Sequence, residues 1–385
     1  MIEFFIVIIT SLSIVYFLTM HFLETGLKKL KTPPKNILSD SLIKVSVIVA
    51  CRNEEENIPG LIKCLLAQQT KNIDIEFILV NDRSEDSSGQ LIDDRTNKDN
   101  RFKSIHIKDR VAGFAPKKYA IDCAIKEASG EINILTDADG RPGKDWVQSL
   151  VAYFQNGADM LLGYAPYTIS QKSSLFMKML ALEYFAPAAV AAATTGLGYP
   201  LTCVGTNMAY RKNVYLEIGG FGEFKSFISG DDDLFLTRVR ENGNYKIQYA
   251  NDEKCHVFNA PPKTFKQFVN QRLRYASKGF VYPNKVTAGL TIYVLFNFFL
   301  FFGLIYGLFN MGPILWSSLA ALAIKTFSEY KFTRKAAQAI NDKRFTNYYF
   351  VTALLHVPYI LFFGILGQLK IFRWAEKKTE HGIVK

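Results

Sequence analysis

Two aspartates, Asp137 and Asp139, are separated by one residue and directly follow the apolar run 132–135. Side chains at positions i and i+2 of a strand point to the same side, so both carboxylates could face one ligand. Carboxylate oxygens bind hard cations such as Mg²⁺ or Mn²⁺, and these cations also bind phosphate oxygens. The alternative is an ordinary turn, in which Asp side chains accept backbone hydrogen bonds. The pair alone leaves both interpretations open.

The segment that contains this pair alternates between strand and helix patterns. Helical periodicity places Ile58, Leu61 and Leu65 on one face of a helix. This alternation predicts an α/β fold with a mainly parallel sheet that helices cover on both faces. The predicted strands are 45–50, 75–80, 102–107 and 132–135, and the predicted helices are 57–69, 87–95 and 120–128.

Charged residues follow three of the four predicted strands. Arg52 and Glu54 come after the first strand, Asp82 after the second, and the aspartate pair after the fourth. Ligands of open α/β sheets bind beyond the carboxyl ends of the strands. Any one cluster could be a helix cap, and Asp86 fits that role. Clusters at all three ends favour a shared binding site.

The composition suits a soluble domain joined to membrane segments, since 49% of the 385 residues are hydrophobic and 21% are charged. The net charge of +11 is concentrated beside the apolar segments, at 28–31, 331–335 and 377–378. That distribution favours membrane topology over a nucleic-acid surface. Zinc-finger spacing and RNA-binding aromatic signatures are absent from the sequence, so no nucleic-acid partner is expected.

Apolar segments near both ends of the chain predict membrane helices. Residues 1–25 form a predicted N-terminal transmembrane helix, because the apolar run 2–23 is long enough to cross a bilayer. A signal peptide is the competing interpretation, and it is rejected because no basic residue precedes the run and no cleavage site follows it. Residues 26–43 are a predicted linker. Within 286–370 the predicted spans are 290–309, 314–327 and 348–369. The segment 175–193 contains charged residues and Pro187, and is predicted to be a helix that lies on the core or at the membrane interface and does not span.

The basic segments predict the orientation of the chain. The positive-inside rule places residues 28–31 and a loop at 331–344 in the cytosol, and with them a cytosolic domain at 44–285. A full crossing by 348–369 would then export the basic tail, residues 371–385, against the same rule. The sequence does not resolve this conflict.

Several ordered motifs resemble the nucleotide-sugar half of the family-2 glycosyltransferases. They are "VIVACRNEE" at 47–55, "ILVNDRSEDSS" at 78–88, Lys117 and "ILTDADGRPGKDW" at 134–146. Downstream, "GTNMAYRKNVYLEIGGF" at 205–221 and "GDDDLFLTRV" at 230–239 look like the acceptor-side and acidic catalytic motifs. "QRLRYASKG" at 271–279 is similar to the Gln-x-x-Arg-Trp motif of membrane-bound members. The likeness covers roughly residues 44–280.

The resemblance implies a GT-A nucleotide-diphosphosugar transferase-like fold, a mixed sheet flanked by helices, and a nucleoside-diphosphate sugar donor, usually a uridine one. It implies that Asp82 contacts the uracil or ribose and that Asp139, with Asp137, holds Mg²⁺ or Mn²⁺ on the diphosphate. Such a cation neutralises the charge of the departing diphosphate. The donor-binding residues implied in this way are Arg52, Glu54, Asp82, Lys117, Asp137, Gln271 and Arg274.

The same resemblance implies an inverting reaction with a carboxylate base. Asp232 matches the acidic pair of the family and is the preferred base for the acceptor hydroxyl, while Asp231 and Asp233 stay possible. An acidic cap of the helix 234–240 is the alternative. Tyr275 stands where the family has Trp, and could stack on an acceptor sugar.

The sequence therefore predicts a membrane-anchored inverting glycosyltransferase of the inner (cytoplasmic) membrane, with its catalytic domain in the cytosol. The predicted acceptor is lipid-linked or membrane-proximal. One alternative is a processive polysaccharide synthase, whose channel a second copy or a partner membrane protein would have to complete. A non-catalytic membrane scaffold that retains the fold is the other.

Overall fold

The computed structural model describes residues 2–32, 41–279 and 281–369, and the backbone of residues 373–374 and 377–378. Most of the predicted basic tail and part of the predicted linker lie outside the described residues. Within them the chain divides into two compact units. The sheet unit comprises residues 29–168 and 187–261, and the helical unit comprises residues 2–28, 169–186 and 262–369. The predicted functional boundaries, 44–285 and 286–370, stay predictions.

A seven-stranded sheet forms the centre of the sheet unit. Its strands are β1 (Ile43–Cys51), β2 (Ile73–Asp82), β3 (Phe102–Ile107), β4 (Ile132–Leu135), β6 (Met160–Gly163), β7 (Met208–Arg211) and β8 (Ile247–Ala250), and β5 (Arg141–Pro142) pairs separately with β9 (Val257–Phe258). The strand order is β3-β2-β1-β4-β7-β6-β8. Neighbours from β3 to β4 are parallel, whereas β7 is antiparallel to both of its neighbours. The predicted mixed α/β sheet is thus confirmed.

The central strands are buried almost without interruption, which explains their continuous apolar sequences. Val47, Val49, Phe77, Leu79 and Ile134 are fully buried. Strands covered on both faces have no solvent-facing positions, so apolar and polar residues do not alternate. The helices of this unit are α2 (Ile58–Leu66), α3 (Ser88–Thr96), α4 (Pro116–Glu127), α5 (Trp146–Gln155), α7 (Lys212–Glu217) and α8 (Asp233–Asn242), and α6 (Leu175–Gly196) contributes residues to both units.

Five further helices belong to the helical unit, together with the first half of α6. They are α1 (Ile2–Lys28), α9 (Phe265–Ala276), α10 (Asn284–Asn310), α11 (Pro313–Ala339) and α12 (Tyr349–Leu366). Ile9, Phe296, Leu300, Ala321 and Val357 form an apolar core between α1, α10, α11 and α12. The pair β10 (Arg373–Trp374) and β11 (Lys377–Lys378) is antiparallel.

Four of the described helical segments are long and apolar enough to cross a membrane, namely Ile2–Lys28, Leu175–Gly196, Asn284–Asn310 and Thr346–Leu369. Three of them contain spans predicted from the sequence. The fourth, α6, was predicted to lie at the interface, yet it meets the criterion of length and composition. The predicted span 314–327 lies in α11, which does not meet it because charged residues fill the second half of that helix.

The loop predicted at 331–344 is mostly helical, because α11 continues to Ala339. The prediction of a loop was therefore wrong for residues 331–339. Lys, Arg, Ala and Gln are good helix formers, so a basic composition does not end a helix. The helix ends instead near Asn341, whose φ of +60° belongs to the left-handed region that terminates helices.

Candidate active site

The loops after β1 and β2 are fastened to each other by side-chain to backbone hydrogen bonds. The backbone N–H of Asn53 donates to Ser84 Oγ (3.0 Å), and the N–H of Glu85 donates to Asn53 Oδ1 (2.8 Å). The N–H of Glu54 donates to Ser88 Oγ (2.8 Å). These bonds satisfy backbone groups that no strand or helix can pair. The two loops therefore form one rigid edge of the site.

Asp86 contributes to this edge from both of its carboxylate oxygens. Oδ1 accepts from the N–H of Ser88 (2.9 Å) at the start of α3, which is the capping role expected from the sequence. Oδ2 accepts from the N–H of Glu55 in the other loop (3.1 Å). The second bond crosses between loops 31 residues apart, so no local pattern could reveal it.

Asn53 and Arg83 adopt the left-handed backbone conformation, with φ of +54° and +52°. Asn tolerates this conformation, whereas Arg does so only where the surroundings hold it. Strained residues of this kind concentrate at functional sites. Arg83 was not among the residues predicted for the site.

Asp82, predicted to contact the nucleoside, is buried at the end of β2 and paired with Arg83. Arg83 Nε donates to Asp82 Oδ1 (2.7 Å) and Nη2 donates to Oδ2 (3.0 Å), a bidentate geometry. Such planar pairing is the strongest arrangement that Arg and a carboxylate form. The bent backbone at Arg83 is what turns its side chain back onto its neighbour.

Glu54 faces the aspartate pair from the β1 loop. Its Oε2 accepts from Asn57 Nδ2 (2.6 Å). Burial raises the pKa of Glu54, and the nearby charge of Asp137 raises it further. Arg52 is half-buried beside it and makes no hydrogen bond or ion pair with any residue that the structure describes.

Asp137 and Asp139 follow β4 at the same edge of the sheet, so the structure brings together residues from all three predicted strand ends. Burial raises the pKa of Asp139 to about 6, and the charges of Asp137 and Glu54 add to the effect. Three carboxyl groups that repel one another mark a site of excess negative charge.

Lys117 connects the aspartate pair with the acidic segment before α8. Its Nζ lies 2.7 Å from Asp137 Oδ1 and 2.8 Å from Asp231 Oδ2. Burial lowers the pKa of Lys117, but Asp137 and Asp231 raise it by more, so it lies above its ordinary value. The other oxygen of Asp137 accepts a hydrogen bond from the hydroxyl of Thr206. The donor-side and acceptor-side motifs thus meet at one ammonium group.

The three aspartates before α8 have different surroundings. Asp232 is the N-cap residue of α8, where its Oδ1 accepts from the N–H of Asp233 (2.7 Å) and its Oδ2 accepts from the N–H of Gly205 (3.3 Å). Asp231 pairs with Lys117, and Asp233 is buried in the first turn. Burial fits Asp233 for an orienting role, because an acceptor hydroxyl could not reach it.

Gly205 leaves room beside these groups. A Cβ at this position would lie 3.0 Å from Asp231 Oδ2 and 3.6 Å from Lys117 Nζ. Any side chain would therefore enter the space between the acidic segment and Lys117. A glycine is required here for close approach of the backbone, a role its type alone did not reveal.

The carboxylates of this edge fit a divalent cation. Among the described residues no group of three or more His, Cys, Asp or Glu is arranged to hold a metal ion without other ligands. A cation in a nucleotide site needs only one or two carboxylates, because phosphate oxygens and water complete its coordination. Asp139, half-buried near two other carboxyl groups, is the group whose charge such a cation would compensate.

Gln271, Arg274 and Tyr275 lie on α9 in the helical unit. Tyr275 is exposed, and the guanidinium of Arg274 lies 5.2 Å from the centre of its ring. Gln271 Oε1 accepts from Arg272 Nη1 (3.1 Å). Arg272, which the sequence did not single out, is buried and forms an ion pair with Glu183.

Two family models match the chain. The model "Glycosyl transferase family 2" matches residues 46–219, and "Glycosyl transferase family group 2" matches residues 133–366, which is more than half of the chain. The protein belongs to the family-2 glycosyltransferases. The assignment of "QRLRYASKG" to the Gln-x-x-Arg-Trp motif stays a prediction.

Curated relatives are similar to parts of the chain. "Probable glycosyltransferase YdaM" of Bacillus subtilis is 25% identical over 69% of this chain, and the match spans 64% of that protein. "Undecaprenyl-phosphate 4-deoxy-4-formamido-L-arabinose transferase" of Pectobacterium atrosepticum is 30% identical over 36% of this chain and 41% of its own length. The chain thus spans less than two thirds of each of these relatives.

A solved structure shares the fold. The mannosyltransferase PcManGT from Pyrobaculum calidifontis, in complex with GDP-Man and Mn²⁺, superposes with a TM-score of 0.57 at 16% identity, covering 98% of this chain and 100% of the other. At this identity the likeness shows the fold alone.

Proposed function

We propose that this glycosyltransferase moves a sugar from a nucleoside-diphosphate sugar, preferably a UDP-sugar, to a lipid-linked or membrane-proximal acceptor, with inversion at the anomeric carbon. The observation that carries the proposal is the cluster Asp137–Lys117–Asp231, with distances of 2.7 and 2.8 Å. It joins the residues suited to a diphosphate with those suited to an acceptor hydroxyl. A site for single-displacement transfer needs both within one sugar's reach.

The donor side has a separate residue for each part of the nucleotide. Asp82, at the end of β2, accepts hydrogen bonds from the base or ribose, and Arg52 and Glu54 line the pocket. Asp137 and Asp139 would hold Mg²⁺ or Mn²⁺, which stabilises the charge of the leaving diphosphate when bound. Lys117 adds a positive charge near the same phosphates, and Gln271 and Arg274 are proposed as further diphosphate contacts.

The acceptor side needs a group that removes a proton as the new bond forms. Asp232 is the proposed base, with Asp231 as the second candidate. Asp232 stands at the N-terminus of α8, which favours its charged form. Tyr275 is proposed to stack on the acceptor.

A membrane acceptor is supported by the apolar helices of this chain and by the relative whose name specifies an undecaprenyl-phosphate substrate. That relative matches only 36% of the chain, so the acceptor is inferred and the linkage is left open. Localisation in the inner membrane, with the sheet unit in the cytosol, is the arrangement that gives the site access to cytosolic nucleotide sugars.

Transfer by the purified full-length protein tests this proposal. UDP-sugars and GDP-sugars would be supplied with lipid acceptors, with Mn²⁺, with Mg²⁺ or with a chelator. We expect transfer from one nucleotide class, with an inverted anomeric configuration and one sugar added per acceptor. Long products would favour the processive synthase, and no turnover or donor hydrolysis with any donor would favour the scaffold.

Asp139→Ala tests the metal assignment. We expect turnover to fall about 10²-fold or more and to lose its dependence on Mn²⁺ or Mg²⁺, since the cation loses a carboxylate ligand. Turnover that stays at the level of the unmodified protein would exclude Asp139 as a metal ligand. Asp109→Ala, at an exposed position after β3, is a matched control that should change nothing.

A further inference from the structure

Lys117 contacts two carboxylates that come from opposite sides of the site. Asp137 follows β4, Asp231 precedes α8, and the two residues are 94 positions apart in the chain. We propose that Lys117 is a positioning residue whose ammonium holds Asp137 until the divalent cation and the nucleotide bind together, and that it then stays on Asp231. This inference rests on the proposed function, since it concerns the same donor site.

The base of Lys117 is fixed to the segment that carries Asp231. The neighbouring Lys118 is buried and donates from Nζ to the carbonyl oxygens of Phe224 (2.6 Å) and Ser229 (3.1 Å). The N–H of Ala115 donates to the carbonyl oxygen of Lys225 (2.7 Å). The first turn of α4 and residues 224–231 therefore hold each other, and the Lys117–Asp231 pair does not depend on Asp137.

Asp137 is held differently, by two side-chain donors. One carboxylate oxygen accepts from the ammonium of Lys117 and the other from the hydroxyl of Thr206. Each oxygen thus accepts one hydrogen bond, and a divalent cation such as Mg²⁺ would need at least one of them at a distance of about 2.0–2.1 Å, beside the donor that is already there. An ammonium and a divalent cation on one carboxylate repel each other, so binding of the cation alone has to displace Lys117.

A nucleoside diphosphate changes this balance. Its phosphate oxygens supply new acceptors for the displaced ammonium and further ligands for the cation. Lys117 can turn from Asp137 to a phosphate oxygen while its contact with Asp231 is kept, because that contact has its own anchor in α4. Cation and nucleotide then assist each other, and the acidic segment stays aligned with the donor.

Metal binding without nucleotide provides the test. Lys117→Met removes the ammonium and keeps much of the side-chain volume. We expect the affinity for Mn²⁺ alone, measured from the electron paramagnetic resonance signal of free Mn²⁺, to rise about five- to tenfold. The increase in Mn²⁺ affinity on adding UDP should shrink by a similar factor. Lys117→Arg should restore the behaviour of the unmodified protein.

A purely structural role for Lys117 would not tighten metal binding, because a distorted site loses affinity. Unchanged or weaker Mn²⁺ binding by folded Lys117→Met would overturn the proposal. Lys126→Met, which breaks an exposed ion pair on the same helix, is the matched control and should bind Mn²⁺ as the unmodified protein does. A second variant covers the case in which Lys117→Met does not fold. Lys117→Gln is then measured in the same way. Should it also fail, equal Mn²⁺ affinity of the unmodified protein with and without UDP would overturn the proposal.

The measurement is independent of sugar transfer. Tighter Mn²⁺ binding in Lys117→Met, together with no transfer from any donor, would leave this inference standing and refute the proposed function. Transfer with unchanged Mn²⁺ affinity would do the opposite.

Discussion

At the scale of single residues, Asp232 caps α8 and can also serve as the general base. Its carboxylate caps α8 through the N–H of Asp233 and also accepts from the N–H of Gly205. A carboxylate has about four lone-pair sites, so two accepted bonds leave capacity for an acceptor hydroxyl. The two hydrogen bonds hold the carboxylate in one orientation, which suits a general base.

Asp232→Asn separates these two roles, because Asn caps helices as well as Asp but cannot take a proton. With a hydroxyl acceptor we expect turnover to fall about 10²- to 10⁴-fold and the affinity for the donor to stay within about twofold. Turnover would be measured with saturating donor, and affinity by calorimetric titration. An equal loss of donor affinity and turnover would argue against Asp232 as the base.

The chemistry of the acceptor supplies an internal control for this variant. A phosphate acceptor is already largely ionised at pH 7, since its second pKa is about 6, and needs no base. With such an acceptor Asp232→Asn should keep most of its activity. A comparable loss with both acceptor types would assign Asp232 a positioning role.

The sequence predicted the positions of the site residues, but it did not predict their contacts with one another. Acidic residues after Leu135 and after Val80 stand where ligands of a parallel sheet bind, so their place followed from the strand pattern alone. The pairing of Lys117 with Asp231 brings together residues more than a hundred positions apart. No periodicity encodes such a contact, and the left-handed backbone of Arg83 is likewise imposed by its surroundings.

At the scale of elements, α9 presents two arginines with different surroundings. Arg272 is buried, forms an ion pair with Glu183 and lies against the rings of Phe268, Tyr184 and Tyr275. Glu183 also accepts from the hydroxyl of Tyr359 on α12 (2.6 Å). Arg272 therefore joins α9 with α6 and α12, while Arg274 lies two positions further along the helix.

Arg272→Met and Arg274→Met should consequently have different effects. We expect Arg272→Met to lower the free energy of unfolding by about 3 kcal/mol, because it leaves Glu183 without its cation. Arg274→Met should leave the stability nearly unchanged and raise the KM for the donor about tenfold. Thermal unfolding in detergent and donor titration measure the two effects. Equal destabilisation by both variants would show that Arg274, like Arg272, has a structural role and does not serve donor binding alone.

Strand β2 carries a buried carboxylate that makes stability depend on pH. Glu76 accepts from Ser46 Oγ, from the N–H of Ser129 and from Lys103 Nζ. Burial alone would raise its pKa, but Lys103, Ser46 and Ser129 together lower it from 4.5 to about 2. Because the folded-state pKa is depressed, the stabilisation is complete above pH 4.5 and is lost as the pH falls towards 2.

Glu76→Gln should remove this dependence. Between pH 4.5 and 2 we expect the slope of unfolding free energy against pH to fall by up to about 1.4 kcal/mol per pH unit, the value for one proton. The exposed Glu131→Gln is the control and should keep the full slope. A slope that stays the same in Glu76→Gln would show that other groups take up the proton.

Two elements show where sequence patterns stop predicting the fold. The alternation of strands and helices predicted the parallel half of the sheet, but β7 runs antiparallel between β4 and β6. Strand direction depends on where the chain re-enters the sheet, and the sequence of β7 does not encode that. In α11, the basic residues from position 331 onward indicated a loop, whereas Lys331 and Lys335 lie in the helix and form ion pairs with Glu24 of α1.

At the scale of the molecule, contacts within the helical unit determine the directions of three long helices. Gly303 of α10 packs against Phe5 of α1 and Ser318 of α11, near one end of the bundle. Near the other end, Lys331 and Lys335 of α11 form ion pairs with Glu24 of α1. Helices α1 and α11 therefore run parallel over their length, and α10 runs antiparallel to both, with Tyr293 stacked on Tyr16.

This arrangement explains how α11 could cross a membrane despite its composition. Lys325 donates to Glu329 (2.6 Å), and Glu329 also accepts from Tyr16 and from Tyr349 (2.8 Å). Charges inside a membrane are tolerated when they pair with one another inside a bundle. We infer that α1, α10 and α11 cross, with the basic ends of α1 and α11 on the cytosolic side.

Helix α12 then has both of its ends at the basic end of the bundle. It begins soon after α11 ends, and Tyr349 in its first turn contacts Glu329. Just after its other end, Gln368 donates to the carbonyl oxygen of Ala276 at the end of α9 (2.7 Å) and lies beside Gly279. The carbonyl oxygen of Gly279 in turn accepts from Thr287 in the first turn of α10 (3.0 Å). Although α12 is long and apolar enough to span, this geometry places it across the bundle end. With α1, α10 and α11 crossing, we therefore expect the basic tail on the cytosolic side, in accord with the positive-inside rule.

Cysteine labelling in intact cells tests this topology. In a variant with all five native cysteines replaced by serine, Met311→Cys lies in the exposed turn between α10 and α11, and a second variant has a cysteine appended after Lys385. We expect a membrane-impermeant maleimide to label Met311→Cys in intact cells. The appended cysteine should react only after the membrane is permeabilised, because we expect both ends of α12 on the cytosolic side. Labelling of the appended cysteine in intact cells would mean that α12 crosses the membrane and that the basic tail is exported against the positive-inside rule.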